Sequence, residues 1–203
     1  MDLETFNPVP ITLDPTTKAL SSTSPTPDTK LLTELTTLNA LHKSLLASDA
    51  PNSVPPPPVP VNPRRSAQIQ KLRESGNTAF RKNSHSEAIK MYSLGITMAL
   101  GRPLWEPSGL VREELCQLYA NRAQAYMALR SWPEGAVDAR CSVELKKVQN
   151  AKAWWRRGKC LLEMGRVGEA REWVGEALEF EGVEQDLVAL MEEIEGKEKG
   201  GRK

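Results

Sequence analysis

Residues 119–126 read YANRAQAY, and the same arrangement of large and small residues occurs at 72–80, LRESGNTAF, and at 154–161, WWRRGKCL. In each stretch a large residue is followed four positions later by a small one, and three positions after that by another apolar residue. This spacing follows the period of an α-helix and puts a small residue where a second helix can approach closely. Three copies of one pattern predict an all-α repeat protein.

A second amphipathic helix follows each stretch, with small or aromatic residues where two antiparallel helices would meet. These residues are Ala88 and Tyr92, then Gly135 and Ala139, then Ala170 and Ala177. The pattern resembles the tetratricopeptide (TPR) repeat, in which a small residue lets one helix nest against its pair. The second and third repeats, which begin at Cys116 and Ala151, are 35 residues apart, close to the TPR period of about 34.

The first repeat begins at Ile69, so 47 residues separate it from the second. The excess falls at residues 101–109, GRPLWEPSG, where glycine and proline break the helix. We expect Ser108 to cap the following helix and Trp105 to hold this loop on the surface.

The predicted TPR domain covers residues 64–183 and is closed by a capping helix over 184–196. Leu187, Leu190 and Ile194 line one face of that helix, which would cover the open end of the stack. We expect residues 197–203 to form a flexible tail.

Prolines separate this domain from an N-terminal segment, residues 1–50. Residues 51–63, PNSVPPPPVPVNP, cannot form a helix, and they predict a stiff, extended linker. The same composition would also suit a ligand of an SH3-like or WW-like domain. Residues 7–15, NPVPITLDP, predict a short extended piece that ends in a turn.

One amphipathic helix is predicted over residues 29–48, with Asp28 as its N-cap and His42 on its polar side. Its leucines recur at helical spacing and are the candidate partner-docking residues: Leu31, Leu35, Leu38, Leu41 and Leu45. A single helix cannot bury such a stripe, so we expect it to lie on the TPR domain or, because the linker is stiff, on a partner chain.

Charge is unevenly distributed, although 27 Lys and Arg nearly balance 26 Asp and Glu. Residues 1–63 carry 3 basic and 6 acidic groups, residues 64–160 carry 18 and 8, and residues 161–203 carry 6 and 12, for nets of −3, +10 and −6. A basic middle predicts a localised surface for anions. The three cysteines show no metal-binding spacing and the two histidines no catalytic motif, so the sequence predicts no metal, no cofactor and no enzyme.

The start of the chain, MDLE, has neither a basic nor an apolar leader region, and no stretch approaches the length of a membrane span. We therefore expect a cytosolic or nuclear protein that does not insert into a membrane.

The basic residues include a pattern typical of the chaperone-binding TPR subfamily. In that subfamily, five groove positions form a clamp for the two carboxylates of a C-terminal Asp. The clamp pattern is Lys or Arg and then Asn in the first repeat, Asn in the second, and Lys and Arg in the third. The matching residues here are Arg73, Asn77, Asn121, Lys152 and Arg156.

The clamp residues of the first and third repeats are i, i+4 pairs, so each pair shares one side of its helix. Charge-assisted hydrogen bonds from guanidinium and ammonium groups hold carboxylates strongly, and asparagine adds amide donors and acceptors. Arg81, Arg122 and Arg157 are secondary candidates that could attract acidic residues further along the ligand.

The whole chain resembles the small TPR subunit of the fungal post-translational translocation complex at the endoplasmic reticulum (ER). That resemblance implies an adaptor on the cytosolic face of the ER membrane. Its N-terminal half would bind a membrane-anchored sister subunit, and its clamp would recruit the acidic C-terminal tail of cytosolic seventy-kilodalton heat-shock chaperones.

Two alternatives remain open from the sequence. One is a free cytosolic co-chaperone of the ninety-kilodalton heat-shock family, whose tails end in a similar acidic motif. The other belongs to a different class and would bind RNA or an acidic scaffold through the basic middle region, with a steep salt dependence.

Overall fold

The computed structural model describes residues 9–46, 61–103 and 105–200. The chain forms two compact units, Met1–Val59 and Pro60–Lys203. Of the predicted linker, residues 51–60 lie outside the described residues.

The first unit contains a hairpin of two antiparallel strands, β1 (Ile11–Leu13) and β2 (Leu20–Ser22). Its turn is organised by Asp14, whose Oδ1 accepts the N–H groups of Thr16 and Thr17 at 2.8 and 2.7 Å. The extended piece and the turn match the sequence prediction, but the second strand was not predicted, because three residues are too few to show an alternating pattern.

One helix, α1 (Thr29–Leu46), completes this unit and packs on β2. Asp28 caps it by accepting the N–H of Lys30 at 3.3 Å. Asn39 mimics a strand neighbour, since its Oδ1 accepts the Leu20 N–H and its Nδ2 donates to the Leu20 carbonyl, both at 2.8 Å. From the sequence we expected the apolar face of α1 to lie on the TPR domain or on a partner chain. The contact of α1 with a hairpin of its own unit was not expected.

The buried face of α1 is centred on Leu35, which is only 4% exposed. His42 lies seven residues further on and therefore on the same face, and its Nε2 is buried. The prediction that His42 lies on the polar side is thus wrong. Leu31 and Leu41 are half-buried, whereas Leu38 stays 47% exposed; Leu45 belongs to α1, but its side chain lies outside the described residues.

The second unit consists of helices that pack consecutively on one another. They are α2 (Pro63–Arg81), α3 (His85–Leu100), α4 (Ser108–Ala128), α5 (Trp132–Leu145), α6 (Ala151–Glu163), α7 (Val167–Glu181) and α8 (Gln185–Gly200). Contacts also join α2 to α4, α4 to α6, and α6 to α8. The described residues of this unit form an all-α TPR superhelix of three helix pairs and a terminal helix.

Small residues allow the close helix contacts that the repeat pattern predicted. A Cβ atom at Gly76 would lie 2.4 Å from the Tyr92 ring, and one at Gly158 would lie 2.6 Å from the Val174 side chain. Backbone-to-side-chain contacts of this kind bring each helix pair together around a dense core.

Three boundaries differ from the prediction. Helix α2 already begins at Pro63, with Asn62 accepting the Arg64 N–H at 3.0 Å, because proline suits the first helical position. Ser108 is the first residue of α4 rather than its cap, a position held by Pro107. The predicted tail is helical as far as Gly200.

The loop between α3 and α4 is held by a buried arginine. Arg102 is 5% exposed, and its guanidinium donates to both carboxylate oxygens of Glu114 at 2.7 and 2.8 Å, to Glu106, and to Ser66 Oγ at 2.7 Å. Trp105 is half-buried in the same loop. No helix within the described part of the chain is long and apolar enough to cross a membrane.

Candidate functional site

An open groove of about 1140 Å³ follows the inner face of the TPR superhelix. Its lining includes the cations Lys152, Arg156 and Lys159, the acids Glu181, Glu184 and Asp186, and the apolar side chains Phe80, Met127 and Trp155. The α6 side of the groove therefore offers positive charge beside apolar surface, a combination suited to an extended peptide that carries acids.

Two asparagines from different repeats are in contact with each other. Asn77 on α2 and Asn121 on α4 are 44 residues apart, yet Asn121 Nδ2 donates to Asn77 Oδ1 at 3.1 Å. Both side chains are half-buried. The superhelix thus brings two predicted clamp residues into direct contact.

Arg156 lies next to this pair, on α6. Its guanidinium donates to the Ala120 carbonyl and to Gln124 Oε1, both at 2.8 Å. Burial lowers the pKa of Arg156, and the Tyr92 phenol opposes this effect. Among the described residues no carboxylate is paired with Arg156, so its half-buried charge is not neutralised within this part of the chain.

Arg73 and Arg81 on α2 approach the same place. Burial raises the pKa of Tyr92, and the charges of Arg156, Arg81 and Arg73 lower it, so three guanidinium groups act on one phenol. Arg73 is half-buried, and its Nε is buried without a hydrogen-bond partner. Arg81 is exposed and reaches Thr78 Oγ1 at 3.4 Å.

Lys152 is exposed at the beginning of α6, one turn before Arg156, and lines the same groove. Two of the five predicted clamp residues, the asparagines, are in mutual contact, and Lys152 and Arg156 line one groove. The charges of Arg73 and Arg156 both act on the Tyr92 phenol.

Two of the secondary candidates serve packing instead. Arg122 forms a two-pronged ion pair with the buried Asp138, at 2.7 and 2.8 Å, and also donates to Ser93 Oγ at 2.8 Å. Arg157 donates to the Ala136 carbonyl at 3.1 Å and lies 4.6 Å over the Trp173 ring. Both arginines fasten α4 or α6 to neighbouring helices. Of the residues that precede them, Arg156 lines the groove and Asn121 contacts Asn77.

The cysteines are in packing positions. Cys116 and Cys160 are buried and Cys141 is half-buried. Burial raises the pKa of all three thiols, that of Cys160 to about 12. Such thiols stay protonated at neutral pH and make poor nucleophiles.

Sequence reasoning missed two contributors to the site. Tyr92 was assigned only to helix packing, but its hydroxyl donates to Asn77 Oδ1 at 2.7 Å. Gln124 holds Arg156, and its position three residues after Asn121 on the same helix was the available signal.

We compared the sequence and the structure of the chain with those of known proteins. The chain is 36% identical over 143 residues to the "ER protein translocation subcomplex subunit sec67" of Schizosaccharomyces pombe, covering 70% of this chain and 74% of that protein. No family model matches the chain.

Solved structures share the fold. A chain in the Sec complex of Saccharomyces cerevisiae superposes with a TM-score of 0.72 at 21% identity, covering 95% of this chain and all of that one. The second TPR domain of human RPAP3, solved in complex with the HSP70 peptide SGPTIEEVD, gives a TM-score of 0.54 at 24% identity, covering 64% of this chain and 98% of that one.

Proposed function

The chain belongs to the family of the S. pombe ER protein translocation subcomplex subunit sec67, and on that premise we propose that it is a non-catalytic adaptor in post-translational protein translocation into the ER. Its groove binds the acidic C-terminal tail of a cytosolic seventy-kilodalton heat-shock chaperone. Its N-terminal unit binds a membrane-anchored translocon subunit, which keeps it peripheral on the cytosolic face of the ER membrane.

The observation that carries the peptide-binding part is Arg156. A guanidinium that is desolvated without an opposite charge is costly, and a bound carboxylate would supply that charge. The asparagines beside it, Asn77 and Asn121, add amide donors within the same site. The complex of the human RPAP3 domain with an HSP70 peptide ending in Glu-Glu-Val-Asp supports the same ligand class.

The N-terminal unit supports the docking part. Leu35 is buried, but Leu32 and Leu38 on α1 are 45% and 47% exposed, and Ile11 and Leu13 on β1 are 46% and 56% exposed. An apolar surface on so small a unit is suited to a protein partner. The S. cerevisiae Sec complex chain, which covers 95% of this chain, supports a translocon subunit as that partner.

Internal ion pairs weaken the alternative of a broad nucleic-acid surface. Arg102, Arg122 and Lys159 are each paired with acidic side chains. These three cations are therefore already neutralised by acids of the fold, whereas Arg156 in the groove is paired with no acid among the described residues. We accordingly favour a peptide with a free C-terminus over RNA.

A titration of the full chain with fluorescent SGPTIEEVD tests the peptide-binding proposal. We expect micromolar binding that is lost when the peptide is amidated, and lost again in Asn121→Ala and Arg156→Ala. Arg166→Ala is the matched control, because Arg166 is an exposed arginine paired with Glu169 outside the groove. Equal binding of the acid and amide peptides by all variants would refute the clamp.

A ninety-kilodalton chaperone tail titrated in parallel tests the alternative co-chaperone function. Docking is tested by retention of the membrane-anchored translocon subunit on the immobilised full chain. We expect Leu38→Asp to reduce retention and Lys30→Asp, on the same helix, to leave it unchanged. Retention unaffected by Leu38→Asp would place the docking surface elsewhere.

A further inference from the structure

Tyr92 contacts the pair formed by Asn77 and Asn121. It is 2% exposed on α3, and its hydroxyl donates to Asn77 Oδ1 at 2.7 Å. The ring reaches this position because Gly76 has no side chain, since a Cβ there would meet the ring at 2.4 Å. The sequence pair Gly76-Asn77 therefore both admits the ring and receives its hydrogen bond.

The hydrogen bonds made by Asn77 determine which of its atoms is available to a ligand. Its Oδ1 accepts from the Tyr92 hydroxyl and from Asn121 Nδ2, at 2.7 and 3.1 Å. A carbonyl oxygen has two lone pairs, so both are occupied. What remains is the NH₂ group of Asn77, which only donates.

Arg73 lies one helical turn before Asn77 on α2, and its guanidinium, like that of Arg156 on α6, carries no acceptor. Reversing the Asn77 amide would set its NH₂ against the Asn121 donor and leave the buried Tyr92 hydroxyl without this acceptor, at a cost typical of an unsatisfied polar group. Asn77 is thus held in one orientation before any ligand arrives.

We propose that Tyr92 is a positioning residue of the groove: its hydroxyl, together with Asn121, fixes Asn77 with the amide NH₂ towards the ligand, so that the site selects a free C-terminal carboxylate over a carboxamide. A carboxylate presents two acceptor oxygens to these donors, whereas a carboxamide presents one oxygen and a competing NH₂. This inference rests on the proposed peptide-binding function and extends it to how the terminus is recognised.

The test compares SGPTIEEVD and its amidated form on the full chain carrying Tyr92→Phe, Asn77→Ala, or both. We expect Tyr92→Phe to weaken the acid peptide about fivefold, as the loss of one oriented hydrogen bond would. The amide peptide, which already binds the unmodified chain far more weakly, should lose no further affinity, because a freed Asn77 can turn its oxygen towards the amide. The ratio of the two dissociation constants therefore falls, a change that general loosening of the fold does not produce.

The double variant identifies the route of the effect. If Tyr92 acts through Asn77, Tyr92→Phe adds no further loss when Asn77 is already alanine. Asn77→Asp is the complementary variant, since a carboxylate still accepts from Tyr92 and Asn121 but repels the ligand, and we expect it to weaken the acid peptide at least about tenfold. Thermal unfolding of each variant separates these effects from loss of fold.

Two results would overturn the inference: an unchanged ratio in Tyr92→Phe, or an equal loss in the presence and absence of Asn77. If the unmodified chain does not bind the acid peptide at all, the proposed function itself fails, and the inference fails with it. Binding by the unmodified chain with no response to Tyr92→Phe would refute the positioning role alone.

Discussion

The loop that holds Arg102 and the groove that holds Arg156 both shield an arginine from water, almost fully at Arg102 and partly at Arg156, but they treat its charge in opposite ways. In the loop, Glu106 and Glu114 surround Arg102 and raise its pKa, although burial alone would lower it. In the groove, burial lowers the pKa of Arg156, and its hydrogen bonds go to a carbonyl and an amide.

On the proposed function, the difference separates a structural cation from a candidate binding cation. A charge satisfied within the chain contributes to the fold and has little to gain from a ligand. A charge held only by neutral acceptors keeps its orientation and still lacks a counter-ion. Basic residue type alone does not distinguish the two cases. The partners and the position do, since Arg157 also donates only to a carbonyl but lies over the Trp173 ring and does not line the groove.

The largest effect is expected on stability, at Arg102. Arg102→Met leaves Glu106 and Glu114, whose side chains are only 15% and 12% exposed, without their partner. We expect the free energy of unfolding to fall by about 3–5 kcal/mol, as when one member of a buried ion pair is removed. Chemical denaturation measures this change.

The triple variant Arg102→Met, Glu106→Gln, Glu114→Gln is the control, because it removes the stranded acids along with the arginine. It should recover part of the lost stability. No recovery would mean that Arg102 contributes by packing its side chain rather than by its charge.

The next effect is on binding, at Arg156. Arg156→Met should weaken SGPTIEEVD by roughly thirtyfold, or about 2 kcal/mol, as expected for a charge-assisted hydrogen bond. The free energy of unfolding should change by less than about 1 kcal/mol, since no acid loses its partner. Isothermal titration and denaturation of the same sample measure both quantities.

A large loss of stability in Arg156→Met, with peptide affinity unchanged, would make Arg156 a second structural arginine. The contrast with Arg102 would then disappear, and the groove would lose its main argument for an anionic ligand.

The sequence predicts the repeats well because helix contacts depend on residue size at fixed spacing. Gly76 and Gly158 could be recognised as close-contact positions from the pattern alone, and both are. The five predicted clamp residues likewise follow from their positions in the repeats. The β hairpin and the burial of His42 could not be predicted, because they depend on contacts between segments that carry no strong local pattern.

Roles of individual arginines were the least predictable. Arg122 follows Asn121 directly and seemed available to a ligand, but its carboxylate partner, Asp138, lies 16 residues away on the next helix. Tyr92 shows the opposite case. Its position in the repeat predicts a packing residue, but its hydroxyl reaches a polar partner, Asn77, 15 residues earlier. Helical register gives the face of a side chain, but it does not give the partner.

The smallest effects on peptide affinity come from two secondary candidates that the structure separates, Arg122 and Arg81. Arg122→Ala should lower the free energy of unfolding by about 2 kcal/mol, because it strands the buried Asp138, and should change peptide affinity less than twofold. Arg81→Ala should do the reverse: stability stays within about 0.5 kcal/mol, as for other exposed residues, and affinity falls about twofold at low salt.

The salt dependence shows whether Arg81 attracts the peptide at long range or contacts it directly. A long-range attraction is screened and vanishes at about 0.5 M salt, whereas a hydrogen bond to the ligand would persist. A loss of affinity for Arg81→Ala that is the same at low and high salt would place Arg81 against the peptide itself. A loss of affinity for Arg122→Ala in fully folded protein would return Arg122 to the groove, and the distinction between satisfied and unsatisfied arginines would no longer predict which of them bind.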